Sequence, residues 1–190
     1  MTDASAFANR DLWIDHKRWH WLLSLTPVIL PFVAFGLVSA TGINGFWWFG
    51  FFFTYGVIVP LELLVGEDPT NPPESAVPAL EADPYYAWIV AAFAPLQYAA
   101  FVMYAWAAAR GGLGPVEMLG LALSAGFMNG VGIANAHELG HKPTRRERWL
   151  AKIVLAPTAY GHFVVEHNRG HHVRVATPED PTSARMGESF

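Results

Sequence analysis

Between Arg18 and Arg110 the chain carries neither lysine nor arginine; all 12 of its strongly basic residues lie outside that stretch. A water-soluble fold of this size needs cationic groups spread over its whole surface, and about 25% of its residues are usually charged. Here the charged fraction is 15% and the hydrophobic fraction 53%. The stretch without basic residues therefore points to lipid rather than water as its solvent. Disorder, a coiled coil and a nucleic-acid-binding module are all excluded by the same balance. Cysteine is absent, which removes disulfide scaffolds, zinc fingers and thiolate-held clusters. The 190 residues suffice for one domain.

A hydrocarbon core of about 30 Å calls for about 20 apolar residues in a helix. Residues 19–40, 47–65, 85–109 and 116–136 each meet that length, and the prolines at 27 and 31 are tolerated in helices of a membrane bundle. The expected fold class is all-α, a polytopic transmembrane helical bundle with at least four spans. The polar start of the chain shows no cleavable leader. Three parts are expected: an N-terminal segment 1–18, four spans over 19–136, and a histidine-rich region over 137–190. Residues 66–84, acidic and rich in proline, read as an ordered or extended loop. Residues 149–165 are apolar but interrupted by Lys152, Pro157 and His162, which favours a short re-entrant or interfacial helix over a fifth crossing. Arg10, Lys17 and Arg18 precede the first span, and Lys142, Arg145, Arg146, Arg148 and Lys152 follow the fourth. Four crossings bring both groups to one side, and the excess of positive charge on cytoplasmic segments places that side inside the cell.

Six of the eight histidines lie between positions 137 and 172. His137 and His141, in the run HELGH, are four apart; on a helix they differ by about 40° in azimuth and can reach one metal. His167 and His171, in EHNRGHH, repeat that spacing, while His172 lies about 100° further round an α-helix and would serve another coordination position or another metal. Ionisable groups at a bilayer boundary mark function. Glu138 and Glu166 flank ligand histidines and read best as acceptors that orient imidazole N–H groups, with general-base or bridging roles open. His162 has no partner at ligand spacing and reads as structural; His16 and His20 read as interfacial anchors, and Glu62 as a solvated residue at the end of its span.

HELGH alone is also the motif of zinc proteases, with Glu138 as general base, so an intramembrane zinc metalloprotease is the alternative reading. Five imidazoles exceed the three that a catalytic zinc employs, and no Asp-Gly dipeptide of the kind that supplies the third ligand in such proteases occurs. Two four-coordinate ions would take about seven or eight protein ligands and leave positions open. Imidazole suits both iron and zinc; the apolar setting favours iron handling O2 against a hydrocarbon. A membrane metal transporter fits less well, since the histidines gather at one membrane face.

HELGHK (137–142) and EHNRGHH (166–172) resemble the first two histidine boxes of the membrane-bound alkane 1-monooxygenases, which stand with the membrane desaturases and hydroxylases. GEDPTNPPE (66–74), WLAKIVLA (149–156), YGHF (160–163) and ATPEDPTSARMGES (176–189) are similar too. The resemblance implies a non-haem di-iron enzyme that uses O2 to hydroxylate the terminal carbon of medium-chain n-alkanes, with rubredoxin as electron donor. It implies His137, His141, His167, His171 and His172 as ligands of two Fe, in a bacterial-type inner membrane. The family pattern continues with further transmembrane helices, an H-Y-G element and an H-x-x-H-H box that these residues lack, so the chain is expected to be an N-terminal portion, incompetent without the C-terminal part. A desaturase or sterol-type hydroxylase shares such boxes; the matches outside the boxes favour alkanes.

An alkane offers only shape and apolar surface, at roughly 0.8 kcal/mol per buried CH2, so a long narrow tunnel is expected. Phe52 and Tyr55, bulky and beside Gly56 on the second span, are candidates to line it, with ordinary packing or lipid-facing roles equally open. Lys142, Arg145 and Arg146 are candidates to dock the acidic electron donor; an anchor for anionic lipid is the competing reading.

Overall fold

The computed structural model describes residues 13–180 and 182–188. The first part of the expected N-terminal segment, including Arg10, lies outside them. Among the described residues the fold is wholly helical, and four helices are long and apolar enough to cross a membrane: α1 (Arg18–Thr41), α2 (Asn44–Val65), α4 (Pro84–Ala109) and α5 (Pro115–His141). Between them lies α3 (Val77–Ala82), preceded by a single 3-10 turn, Glu74–Ala76; the loop expected over 66–84 is thus extended only to Pro73. Two further helices follow, α6 (Arg145–Leu155) and α7, residues 163–174.

The local signals are ordinary ones. Asp83 caps α4 by accepting from the Tyr85 N–H at 2.9 Å, with Pro84 in the first turn. α5 runs unbroken into the histidines and stops at Lys142, whose extended backbone is the conformation favoured before a proline, here Pro143. Thr144 and Glu147 form a capping box that starts α6: the Thr144 hydroxyl accepts from the Glu147 N–H at 3.3 Å and donates to its carboxylate at 2.6 Å. α6 is amphipathic, burying Ala151, Val154 and Leu155 against α5 and exposing Trp149 and Lys152. It ends at a turn containing Pro157 and Ala159, the latter in the left-handed region at φ 55°. At 11 residues it is far too short to cross a bilayer, and it begins four residues and ends ten residues before the 149–165 stretch read from the sequence.

α5 is the hub, packing against α1, α2, α4, α6 and α7. Its small residues let neighbours close in, as in membrane bundles generally. A Cβ at Gly120 would lie 2.3 Å from the Trp48 indole, whose N–H donates to the Val116 carbonyl at 3.0 Å. One turn further, the Ser124 hydroxyl donates to the Trp47 carbonyl at 2.9 Å and accepts from the Phe51 N–H at 3.2 Å. Between α4 and α5, the buried Gln97 donates to Asn129 at 2.9 Å, over Gly132.

The loops sort to two ends. Asn44 meets the Gly112 carbonyl at 3.4 Å, joining both tight turns at one end. At the other, Lys17 pairs with Asp68, Arg18 reaches Asp83 at 3.6 Å, and the Tyr85 and Tyr86 hydroxyls donate to the Arg18 carbonyl at 2.8 Å and to Asp15 at 2.5 Å. The last turn of α5, with its histidines, points to this second end, as span parity requires.

Candidate metal centre

His137 and His141 leave the last turn of α5 on one face, their Nε2 atoms 3.2 Å apart. α7 delivers the second group across the gap. The His167 Nε2 stands 3.3 Å from that of His141, and the His137 and His167 rings are 4.3 Å apart at their centres. These three histidines each offer a ring nitrogen within 4.8 Å of the others.

α7 departs from the α-helix in a way that spacing alone did not disclose. His167–His171 is a π-helical turn, closed by bonds five residues apart. In an α-helix His172 would lie about 140° from His167; the wider turn carries it back over the same face. Its Nε2 sits 2.9 Å from that of His167, and its ring 4.7 Å from that of His141. His172, expected to serve another coordination position or another metal, thus lies beside His167 and His141. It is His171 that turns away: its Nδ1 lies 2.8 Å from Asp180 and 2.6 Å from the Thr182 hydroxyl.

The donor set fits a metal. A ring nitrogen has one in-plane position, holding either a hydrogen or a lone pair. Yet the Nε2 atoms of His141 and His167 each face two others, so hydrogen bonds alone cannot satisfy the chain His137–His141–His167–His172. A cation accepts all the lone pairs at once. Two imidazole nitrogens each about 2.0–2.1 Å from one tetrahedral ion stand about 3.4 Å apart, close to the spacings seen. Partial burial and the surrounding rings of His137, His172, His141 and His171 push His167 down to about 4, which keeps it neutral and available as a ligand at physiological pH. Phe163 stacks on the His167 ring at 4.8 Å, closing one side.

Glu138 and Glu166 are exposed, and among the described residues neither hydrogen-bonds an imidazole. The carboxylate that does is Asp180, whose side chain is 0% exposed. It also accepts from the Ser183 hydroxyl at 2.5 Å, the Thr182 hydroxyl at 2.8 Å and the Thr182 N–H at 3.0 Å; these bonds hold its carboxyl well below the usual range. Sequence reasoning missed Asp180 and Phe163: a carboxylate nine residues from its histidine has no helical period to betray it, and an aromatic in an apolar run looks like packing. His162 meets Tyr160 edge to face outside the imidazole group, and His16, His20 and Glu62 are exposed.

Lys142, Arg145 and Arg146 are exposed and, with Glu138, rim a groove of about 910 Å³ between α4, α5 and α6, floored by Val90, Leu139 and Leu150. Phe52 and Tyr55 lie on an outward face of α2, 59% and 53% exposed. Tyr55 sits in a second π-helical turn, Thr54–Ile58, and meets Phe127 of α5 with ring centres 6.0 Å apart.

A helical membrane bundle that ends in converging histidine boxes defines a class, and residues 114–190 match the family described as Fatty acid desaturase. Over almost its entire length the chain is also similar to enzymes named alkane 1-monooxygenase. It is 44% identical to Alkane 1-monooxygenase 1 of Alcanivorax borkumensis over 96% of this chain and 45% of that protein. To the Alkane 1-monooxygenases of Ectopseudomonas oleovorans and Pseudomonas putida it is 42% identical, over 94% of this chain and 44% of each. The chain is thus similar to the alkane 1-monooxygenases over nearly all of its own length and spans somewhat under half of theirs. The protease alternative for HELGH finds no support in these relatives.

Proposed function

We propose that the chain forms part of an alkane 1-monooxygenase that hydroxylates medium-chain n-alkanes at the terminal carbon, using O2 and electrons from rubredoxin. The observation that carries the reading is the meeting of three imidazoles from two distant segments at the end of an apolar four-helix bundle, in a chain similar to enzymes bearing that name. His137, His141, His167, His171 and His172 are the proposed ligands, with two Fe as the metal; iron, when bound, would activate O2, the oxidant that an unactivated C–H bond demands.

The chain's own residues set the surroundings. α5 and α7 hold the imidazoles at ligand spacing, and Phe163 screens one side from water. Glu138 and Glu166 are proposed as outer carboxylates that bias the ligand cluster electrostatically. An alkane dissolved in the bilayer would lie along the bundle with its methyl end toward the histidines. Phe127, which meets Tyr55, is ten residues before His137, about 15 Å along α5 at 1.5 Å per residue, a depth suited to a medium-length chain. Phe52 and Tyr55 are therefore proposed to wall the substrate path, and Lys142, Arg145 and Arg146 to dock the electron donor. Segment 1–18 and region 137–190 are proposed to lie on the cytoplasmic side of a bacterial-type inner membrane, flanking four spans over 19–136, and the excess of positive charge in both supports this reading.

The test is metal analysis of the full-length protein together with an O2-dependent octane-to-octanol assay driven by rubredoxin. Two iron per chain and 1-octanol formation are expected. A single zinc with no alcohol formed would overturn the reading.

A further inference from the structure

Resting on the metal centre proposed above, we infer that Asp180 is a positioning residue: it holds the His171 ring with its proton on Nδ1, so that the bare Nε2 is presented to a cation. The argument is one of hydrogen-bond polarity. His171 Nδ1 faces two oxygens, the Asp180 carboxylate at 2.8 Å and the Thr182 hydroxyl at 2.6 Å. The carboxylate can only accept. The Thr182 hydroxyl has a single hydrogen, and that hydrogen is committed to the other carboxylate oxygen at 2.8 Å. The carboxylate oxygen facing the ring therefore needs a donor, and Nδ1 must supply its one proton there, with the Thr182 hydroxyl lying beside that bond. Neutral imidazole carries one ring proton, which leaves Nε2 as a lone pair.

The surroundings make this polarity hard to reverse. The Asp180 side chain is fully buried and takes further bonds from the Ser183 hydroxyl at 2.5 Å and the Thr182 N–H at 3.0 Å. The segment after α7 thereby folds back onto it and ties His171 down, while the ring stays nearly parallel to that of His167, 5.4 Å away. The π turn and this anchor are complementary: the turn gives His172 to the three-imidazole group, and Asp180 fixes the histidine left outside it. Outer carboxylates that hold a ligand imidazole in one tautomer are typically worth 10–100-fold in metal affinity.

The test begins without metal. In the chain labelled with 15N-histidine and held in detergent micelles, long-range 1H–15N correlation reads each ring's tautomer, and His171→Ala identifies the His171 signals by removing them. A protonated Nδ1 with bare Nε2 is expected, and Asp180→Asn, which turns an N–H toward the ring, should move the proton to Nε2. A His171 protonated on Nε2 in the unaltered chain overturns the inference whether or not any variant folds. Co2+ titration followed by visible absorption then probes the ligand role. Asp180→Asn should weaken one Co2+ by about 10–100-fold, His171→Ala by at least as much, and the double variant should lose no more than His171→Ala alone. Additive losses would reduce Asp180 to a structural residue and sink the claim; Glu179→Gln, an exposed neighbour, should leave both readouts unchanged. If the unaltered chain binds no Co2+ although His171 has the expected tautomer, the metal centre fails together with the ligand role assigned to His171. Co2+ bound by a chain with the wrong tautomer refutes the role of Asp180 alone.

Discussion

His141 stands at the centre of the imidazole group, its Nε2 shared between His137 at 3.2 Å and His167 at 3.3 Å, with the His172 ring 4.7 Å away. Removing it takes away the nitrogen that joins the two boxes, whereas His162, set edge to face against Tyr160, lies outside the imidazole group. His141→Ala is therefore expected to weaken metal retention by more than the 10–100-fold typical of losing an outer partner, and His162→Ala to leave it unchanged, as metal analysis after dialysis against a chelator would show. At this scale the sequence disclosed the residue types and the pairing of His137 with His141, because both follow from the regular period of α5. It did not disclose the exchange of roles between His171 and His172. The α-helical period was applied to a turn that is π-helical, and nothing in His-Asn-Arg-Gly-His announces the extra residue. Asp180 was illegible for a related reason: its link to His171 is made by a folded-back segment, not by a repeat.

The four long helices were readable to within a few residues, since each is set by its apolar length and closed by Gly, Pro or a capping residue. Their packing was not readable, because helix contacts in lipid depend on where small residues happen to face. Gly120 is the sharpest instance. An added Cβ would meet three atoms of the rigid Trp48 indole between 2.3 and 2.5 Å away, and that ring is held by its bond to the Val116 carbonyl. Gly120→Ala should cost about 1–3 kcal/mol, the usual penalty of overpacking. Gly126 and Gly130, also on α5, have nothing within 4 Å of an added Cβ. Alanine there should be neutral, or stabilising by up to about 1 kcal/mol through helix propensity. Thermal unfolding in detergent of the three variants measures the contrast. Equal behaviour would mean that α2 and α5 do not meet through Gly120.

Across the whole molecule, polar anchors and the histidine cluster share one end while both tight turns occupy the other, so charge and titratable groups are polarised along the bundle axis. Two predictions follow from that axis. Charge reversal at Arg145 and Arg146, beside the groove near the histidines, should slow rubredoxin-driven turnover of the full-length enzyme most at low salt. The loss should fade by 0.15 M, where the Debye length is about 8 Å; a salt-independent loss would favour the lipid-anchor role. The second prediction lies further along that axis, away from the histidines. Tyr55 leans on Phe51 and Phe127, with ring centres 4.8 and 6.0 Å away, at a depth fixed by the ten residues between Phe127 and His137. As a wall of the alkane path it would limit how far a chain extends beyond the metal, and each further CH2 admitted to apolar burial is worth roughly 0.8 kcal/mol. Tyr55→Ala in the full-length enzyme should shift the product profile toward longer alkanols, with octane turnover changed less than that of longer substrates. Phe52, stacked on Trp48 at 5.3 Å rather than leaning toward α5, should give a smaller shift. An unchanged chain-length profile for Tyr55→Ala would remove Tyr55 from the substrate path and leave it a lipid-facing aromatic.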